Sequence, residues 1–360
     1  MKISFRSCRK KKKHSNTYSF KINIKCCCPY IQKGSLYYYL LRSIFRILKS
    51  ILVPLPTSLC VLSVLSMNMN INIQNTPATR TIFFRIEIKI KDITSMEYDS
   101  KIEQIFFFSE KLKKEMGINI YLPSEYKSST QRFPVLYFLH GRSGNENIIH
   151  FLDIKSVTDK LISSGIISPL IIACPRMENS RGLNSSVLTD EVKSDGQVIN
   201  VGQYENYFIK EVIPYIDSKY NTIHDASGRY VGGASAGGYA ALNYGLKYPE
   251  LFSRIGGHMP ALELQLDQED LPYFGNISFW RKNNPIDIAK ECKLNLMQEW
   301  YLDAGNKDEG HFYEGCNKLY QILKDRGANV QNHVFAGHHD ITYLKSNLEK
   351  YLIFYNAKKG

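Results

Sequence analysis

The run Gly233-Ala234-Ser235-Ala236-Gly237 sets one serine between two glycines, each two residues away. A serine so placed is a candidate nucleophile, yet the bare pattern arises by chance in roughly one chain of this length in ten. Its flanks carry more weight. "RYVGGA" (229–234) reads as a strand, and "GGYAALNYGLKYPE" reads as a helix that ends before Pro249. Ser235 therefore falls on the turn between them. The turn is tight enough that a Cβ at Gly233 or Gly237 would collide with neighbouring backbone. The helix starts beside the serine, so free N–H groups and the positive end of its dipole face the place where an oxyanion would form. The Ala236 N–H is the first candidate donor. A second comes from the loop after an early buried strand, "PVLYFLHGRSGNEN", where Gly141 lets the backbone bend and present the Arg142 N–H.

A serine hydroxyl attacks an ester only with a general base in reach and an acid to orient that base. Downstream of Ser235, "YLDAGNKDEG" and "VFAGHHDITY" each read as a strand followed by a loop. Either loop would sit at the carboxyl end of its strand, where open α/β sheets bind ligands. Spacing alone leaves Asp303 and Asp308 both open as the acid, and His338 and His339 both open as the base. His140, His150, His224, His258, His311 and His333 read as packing or surface residues. No Cys/His set has zinc-site spacing, and no metal or organic cofactor is called for.

These residues need a scaffold that brings strand ends together. "FRIEIKIK" (84–91) alternates strictly and reads as a half-buried antiparallel strand. "IEQIFFFS" and "GINIYLP" follow as two more strands of an antiparallel start. Apolar runs without alternation then recur at 135–140, 169–174, 229–234, 297–303 and 330–335, as expected of strands buried on both faces. Helical patterns over 154–164, 204–219, 237–247, 311–326 and 342–355 separate them. The alternation predicts an α/β domain over residues 81–360: a mostly parallel central sheet with helices on both faces. Two irregular stretches, 176–202 and 261–295, are candidate binding loops that select the substrate.

Charge separates this body from what precedes it. Residues 1–80 hold 14 Lys and Arg and no Asp or Glu, whereas residues 81–360 hold 32 basic and 34 acidic side chains. The overall charge of +12 thus belongs to an N-terminal extension, and the catalytic body gives no support to a nucleic-acid partner. The extension reads as poorly ordered or targeting sequence. Its uncharged stretch 50–67 follows a basic region, which has three readings: sequence ahead of a later start at Met67 or Met96, a membrane or secretory segment, or a basic arm on an anionic surface. Membrane contact would run only through residues 1–80. Cys174, Cys292 and Cys316, the three cysteines of the body, form no disulfide framework, and a reducing, cytoplasmic compartment suits them unless residues 36–67 act as a signal segment.

"INIYLPSEY", "FPVLYFLHGRSGNEN", "YFIKEVIPYID", "GGASAGGYAALNYGLKYPELF", "DAGNKDEG" and "GHHD" occur in one order over residues 100–356. In this the chain resembles the putative-esterase family of α/β-hydrolases, which includes tributyrin esterases, feruloyl esterases, enterochelin-esterase-like enzymes and S-formylglutathione hydrolases. The resemblance implies the α/β-hydrolase fold and a serine carboxylesterase acting on a small-molecule ester through an acyl-enzyme. It places the nucleophile on Ser235, favours Asp308 through Gly305-Asn-Lys-Asp308, and favours His339 through Gly337-His-His339. An acyltransferase with the same triad and a catalytically silent binding protein are the alternatives. Arg142 stands where many members carry methionine or leucine. A cation bordering the cleft predicts a preference for esters that carry an anion.

Overall fold

The structure, a computed structural model, describes the backbone of residues 2–12, 15–27, 65–76 and 79–91 and, with side chains, residues 99–127, 129–185, 189–193 and 196–357. The chain divides into two compact units, Met1–Glu97 and Tyr98–Gly360. In the first, strands β1 (Lys2–Lys12), β2 (Ser15–Cys27), β3 (Leu65–Thr76) and β4 (Thr79–Lys91) pair antiparallel in the order β1-β2-β4-β3. The strand expected at 84–91 thus lies in this sheet and does not lead into the main one. Its neighbour "MNMNINI" alternates with the same period, so the two segments match in register, from Leu65 opposite Ile90 to Thr76 opposite Thr79. Most of the uncharged stretch 50–67 lies outside the described residues, among which no helix is long and apolar enough to cross a membrane.

The second unit holds an eight-stranded sheet among the described residues. Its strands are β5 (Lys101–Ser109), β6 (Lys114–Leu122), β7 (Val135–Leu139), β8 (Ile171–Pro175), β11 (Arg229–Ala234), β12 (Arg254–His258), β13 (Glu299–Gly305) and β14 (Asn329–Phe335); β9 (Glu191–Val192) and β10 (Val198–Ile199) form a separate small hairpin. The order is β14-β13-β12-β11-β7-β8-β6-β5, antiparallel at β5-β6-β8 and parallel from β8 to β14. Along β7, Val135, Tyr137 and Leu139 enter one core cluster while Leu136 and Phe138 enter the other. Both faces are dry, which is why the parallel strands read as unbroken apolar runs. Helices α1 (Ile154–Ser163), α2 (Ala236–Lys247), α3 (Phe312–Asp325) and α4 (Ile341–Asn356) cover the sheet. The helix expected at 204–219 forms as Tyr204–Tyr207 and Ile213–Lys219, joined by a π-helical turn at Phe208–Val212.

Strand β12, "RIGGH", has no counterpart in the sequence reading, because its only large apolar residue is Ile255. Packing explains the first of its two glycines. A Cβ on Gly256 would lie 1.9 Å from the Tyr355 hydroxyl, and one on its β11 partner Gly232 would lie 1.7 Å from the same atom. The paired glycines form a slot for Tyr355, which reaches His258 Nε2 at 2.9 Å. The second irregular stretch also carries more structure than expected, in short helices at Leu271–Phe274, Ile277–Asn283 and Pro285–Glu291.

Asp303, at the end of β13, is fully buried within this core. Its Oδ1 meets His258 Nδ1 at 3.0 Å, and its Oδ2 accepts the Tyr343 and Tyr351 hydroxyls at 2.6 and 2.8 Å. Burial first, and the Asp303 charge second, push both tyrosines far above the ordinary phenol range. The carboxylate thereby ties α4 to β12 and β13. Asp303→Ala strips three buried donors of their acceptor and is expected to destabilise the fold by about 3–5 kcal/mol. Urea unfolding of the variant beside the parent checks this, and an unchanged midpoint would refute it.

Candidate active site

Ser235 sits on the turn from β11 to α2 with φ 53° and ψ −116°, outside the regions non-glycine residues favour. Such a conformation costs about 1–3 kcal/mol and persists only where neighbours over-determine it. Here they do. Ser235 N donates to His258 O at 3.0 Å, and the Ser235 carbonyl accepts Tyr239 N at 2.9 Å and Ala261 N at 3.1 Å. A Cβ on Gly233 would stand 2.6 Å from Leu139 O; on Gly237 it would stand 2.4 Å from both Leu139 O and His140 O. The end of β7 therefore presses directly on the elbow.

That pressure brings the loop after β7 beside the serine. Gly141 faces it so closely that an added Cβ would lie 3.1 Å from Ser235 Cβ. The loop is held from beneath by His140, which is buried. Met177 N donates to His140 Nε2 at 2.9 Å, so Nδ1 carries the hydrogen and donates to Gly141 O at 2.8 Å. Burial pushes the imidazole down to about 4, which keeps it neutral. Behind the loop, Glu146 binds Arg176 through both oxygens, one pair at 2.7 Å. Arg142 N and Ala236 N donate to no backbone carbonyl among the described residues, and both residues line the cleft that holds Ser235.

Of the two acids and two bases that spacing left open, one pair reaches the serine. His339 Nε2 lies 2.9 Å from Ser235 Oγ, and His339 Nδ1 lies 2.8 Å from Asp308 Oδ2. Asp308 is buried, and its Oδ1 accepts Gly310 N at 2.9 Å. Phe312 packs edge-on to the imidazole at 5.0 Å. His338 points elsewhere, to Glu309 Oε1 at 2.7 Å, and Asp303 belongs to the tyrosine network of the core. The loops after β13 and β14 are joined by Asn306 N to Phe335 O at 2.8 Å and Lys307 N to Gly337 O at 2.9 Å. Those bonds fix the acid loop against the base loop.

Above Ser235 opens a cleft of about 910 Å³. Ile148, Phe151, Met259, Phe312, Ile341 and Leu344 give it an apolar lining, while Arg181 and the segment from Glu263 to Asp270 give it a charged one. The preference for anionic esters expected from Arg142 does not follow from this geometry. Arg142 lies 3.7 Å from Glu269 across the cleft rim, and the lining holds six Asp and Glu against two Arg. Arg181, Glu263 and Asp270 escaped the sequence reading altogether. They come from the two irregular stretches, and no local pattern announces a pairing across more than 80 residues.

A sheet of this order, with a serine elbow at the end of β11, an acid after β13 and a histidine after β14, defines an α/β-hydrolase. The comparisons narrow the class: a family model described as "Putative esterase" matches residues 109–355, and the chain belongs to that family. The chain is 27% identical over 270 residues to an esterase of Mycobacterium tuberculosis, covering 68% of this chain and 56% of that protein. It thus spans little more than half the length of that relative. With an endo-1,4-beta-xylanase/feruloyl esterase of Xylanibacter ruminicola it shares 31% identity over 278 residues, 74% of this chain and 33% of the relative. A solved ferulic acid esterase superposes with a TM-score of 0.61 at 24% identity, covering 72% of this chain and 98% of that one, which speaks for the fold.

Gly237→Ala places a methyl group against two carbonyl oxygens that cannot move without shifting β7. It is expected to destabilise the unit by about 3 kcal/mol or more. Thermal melting checks this; a variant melting within about 2 °C of the parent would show that the elbow can open.

Proposed function

We propose that the protein hydrolyses carboxylic esters by a serine mechanism. The observation that carries the reading is the unbroken chain from Ser235 Oγ through His339 to buried Asp308, at 2.9 and 2.8 Å, on a strained turn. His339 Nε2 takes the proton as Ser235 Oγ attacks the carbonyl carbon, and Asp308 holds the imidazole with Nε2 toward the serine. The Ala236 and Arg142 N–H groups stabilise the tetrahedral oxyanion. His339 then gives its proton to the leaving alcohol. Water, activated by the same histidine, releases the acid from the acyl-enzyme.

The apolar lining suits an apolar acyl group. Relatives named as feruloyl and acetyl esterases support a range from acetyl to an aromatic acid. With Arg142 facing Glu269, the reading favours esters that carry no negative charge.

Ser235→Ala and His339→Ala are each expected to lower kcat/KM for p-nitrophenyl acetate and butyrate by roughly a thousandfold or more. His338→Ala is expected to stay within about threefold of the parent, because its exposed contact with Glu309 contributes little. Steady-state kinetics on the four full-length proteins check this. Activity that survives in Ser235→Ala, or that His338→Ala abolishes while His339→Ala retains it, would overturn the assignment.

A further inference from the structure

One cluster of buried charge in the cleft wall has no part in that mechanism. Arg181 lies in the first irregular stretch and is 5% exposed. Its Nη2 donates to Glu263 Oε1 at 3.0 Å and to Asp270 Oδ2, and its Nη1 donates to Ala261 O at 3.3 Å. Tyr239 and Tyr273 place their rings 5.5 and 5.6 Å from the guanidinium. Ala261 N in turn holds the Ser235 carbonyl, so the cluster is two hydrogen bonds from the nucleophile's backbone. One guanidinium thus sits between two carboxyls, with Asp270 3% exposed and Glu263 17%.

With both acids ionised, this arrangement leaves two faults. The cluster carries a net negative charge away from water, and Glu263 Oε2 and Asp270 Oδ1, both buried, have no donor. Orphaned carboxylate oxygens are costly in such a site. The two orphans belong to two carboxyls that share one donor, Arg181 Nη2. A single proton on one of them makes it neutral, so that the other alone balances the guanidinium. Glu263 is the one to keep it: burial, reinforced by Asp270 and opposed by Arg181, pushes its carboxyl up to about 7. On Asp270, desolvation is overcome by Arg181 acting together with Glu263 and Arg142, and the carboxyl is held below the usual range.

We propose that Glu263 is a specificity-determining residue: its proton keeps the Arg181 wall neutral, and losing it gives the cleft a negative charge that turns away anionic esters. The inference rests on the esterase reading above. The sign follows from the cluster. With the proton in place, Arg181 and Asp270 cancel; as the pH rises through neutrality the wall gains one negative charge. The remaining charged groups lining the cleft are Arg142, Asp267, Glu269, Glu309 and Asp340, together with His339.

The test compares two substrates with the same acyl group, 4-acetoxybenzoate and the neutral 4-acetoxybenzamide, from about pH 5.5 to about pH 9 on the full chain. The pH dependence of the chemistry common to both substrates enters both rates alike and cancels in the ratio of kcat/KM. The neutral-to-anionic ratio is expected to rise roughly threefold to tenfold, as one added charge at cleft distance predicts, with its midpoint near neutrality. In Glu263→Gln the ratio is expected to stay flat. In Glu263→Asp, whose shorter side chain draws away from Asp270, the midpoint is expected to move down. A flat ratio in the parent, the same rise in Glu263→Gln, or an unmoved midpoint in Glu263→Asp each overturns the proposal while leaving the esterase standing. If neither ester is cleaved and a fluorophosphonate fails to label Ser235, the esterase reading falls, and this inference with it.

Discussion

Everything in the site hangs on how closely the carboxyl end of β7 approaches the turn that carries Ser235. Carbonyl oxygens of Leu139 and His140 occupy the space that side chains at Gly233 and Gly237 would fill. This contact forces the chain to leave β11 sharply and holds the serine at positive φ. It also sets the loop of Gly141 and Arg142 against the serine. Two consequences usually credited to separate motifs, an exposed hydroxyl and a neighbouring pair of unbonded N–H groups, thus share one steric cause. Hydrogen bonds to His258 of β12 and from Tyr239 of α2 and Ala261 of the loop after β12 then lock the strained residue.

Among the described residues two buried aspartates face a histidine, and their surroundings give them different work. Asp303 has all its donors supplied from within the core, by His258, Tyr343 and Tyr351, and neither it nor its histidine reaches the cleft lining. Asp308 lies only five residues on, yet it sits past the strand end, and its histidine turns the other ring nitrogen toward Ser235. The first pair binds α4 to the sheet, and the loop bearing His339 leads directly into α4. A structural Asp–His pair therefore supports the element that positions the pair beside the serine.

Much of this was legible in the sequence because it depends on local order. Glycine spacing announced the elbow, unalternating apolar runs announced the doubly covered strands, and family motifs chose Asp308 and His339 where spacing could not. β12 was not legible: Gly256 is dictated by Tyr355, about 100 residues away, and Gly257 by Leu242 of α2, and a strand whose packing volume is supplied by other elements has no apolar signature. Alternation marks β4 as a strand and leaves its sheet open, since it fixes a strand's faces and not its partner. The charge of Arg142 was visible, but the acidic segment that faces it was not.

The same limit accounts for the Arg181 cluster, and it also explains where selectivity can reside in this fold. The elbow, the loop after β7 and the two loops after β13 and β14 are constrained on every side by backbone contacts, so their side chains have little room to vary without loss of the turn. The stretches 176–202 and 261–295 are joined to each other by side chains. Arg181 is one of the points at which they meet, beside hydrogen bonds of Tyr273 with Asn179 and Ser185, and it joins them through ions. A buried guanidinium shared by two carboxyls is sensitive to one proton in a way that a packed apolar contact is not. The wall that borders the substrate is therefore the part of the cleft whose charge the solution can change, while the geometry of Ser235 and His339 stays fixed.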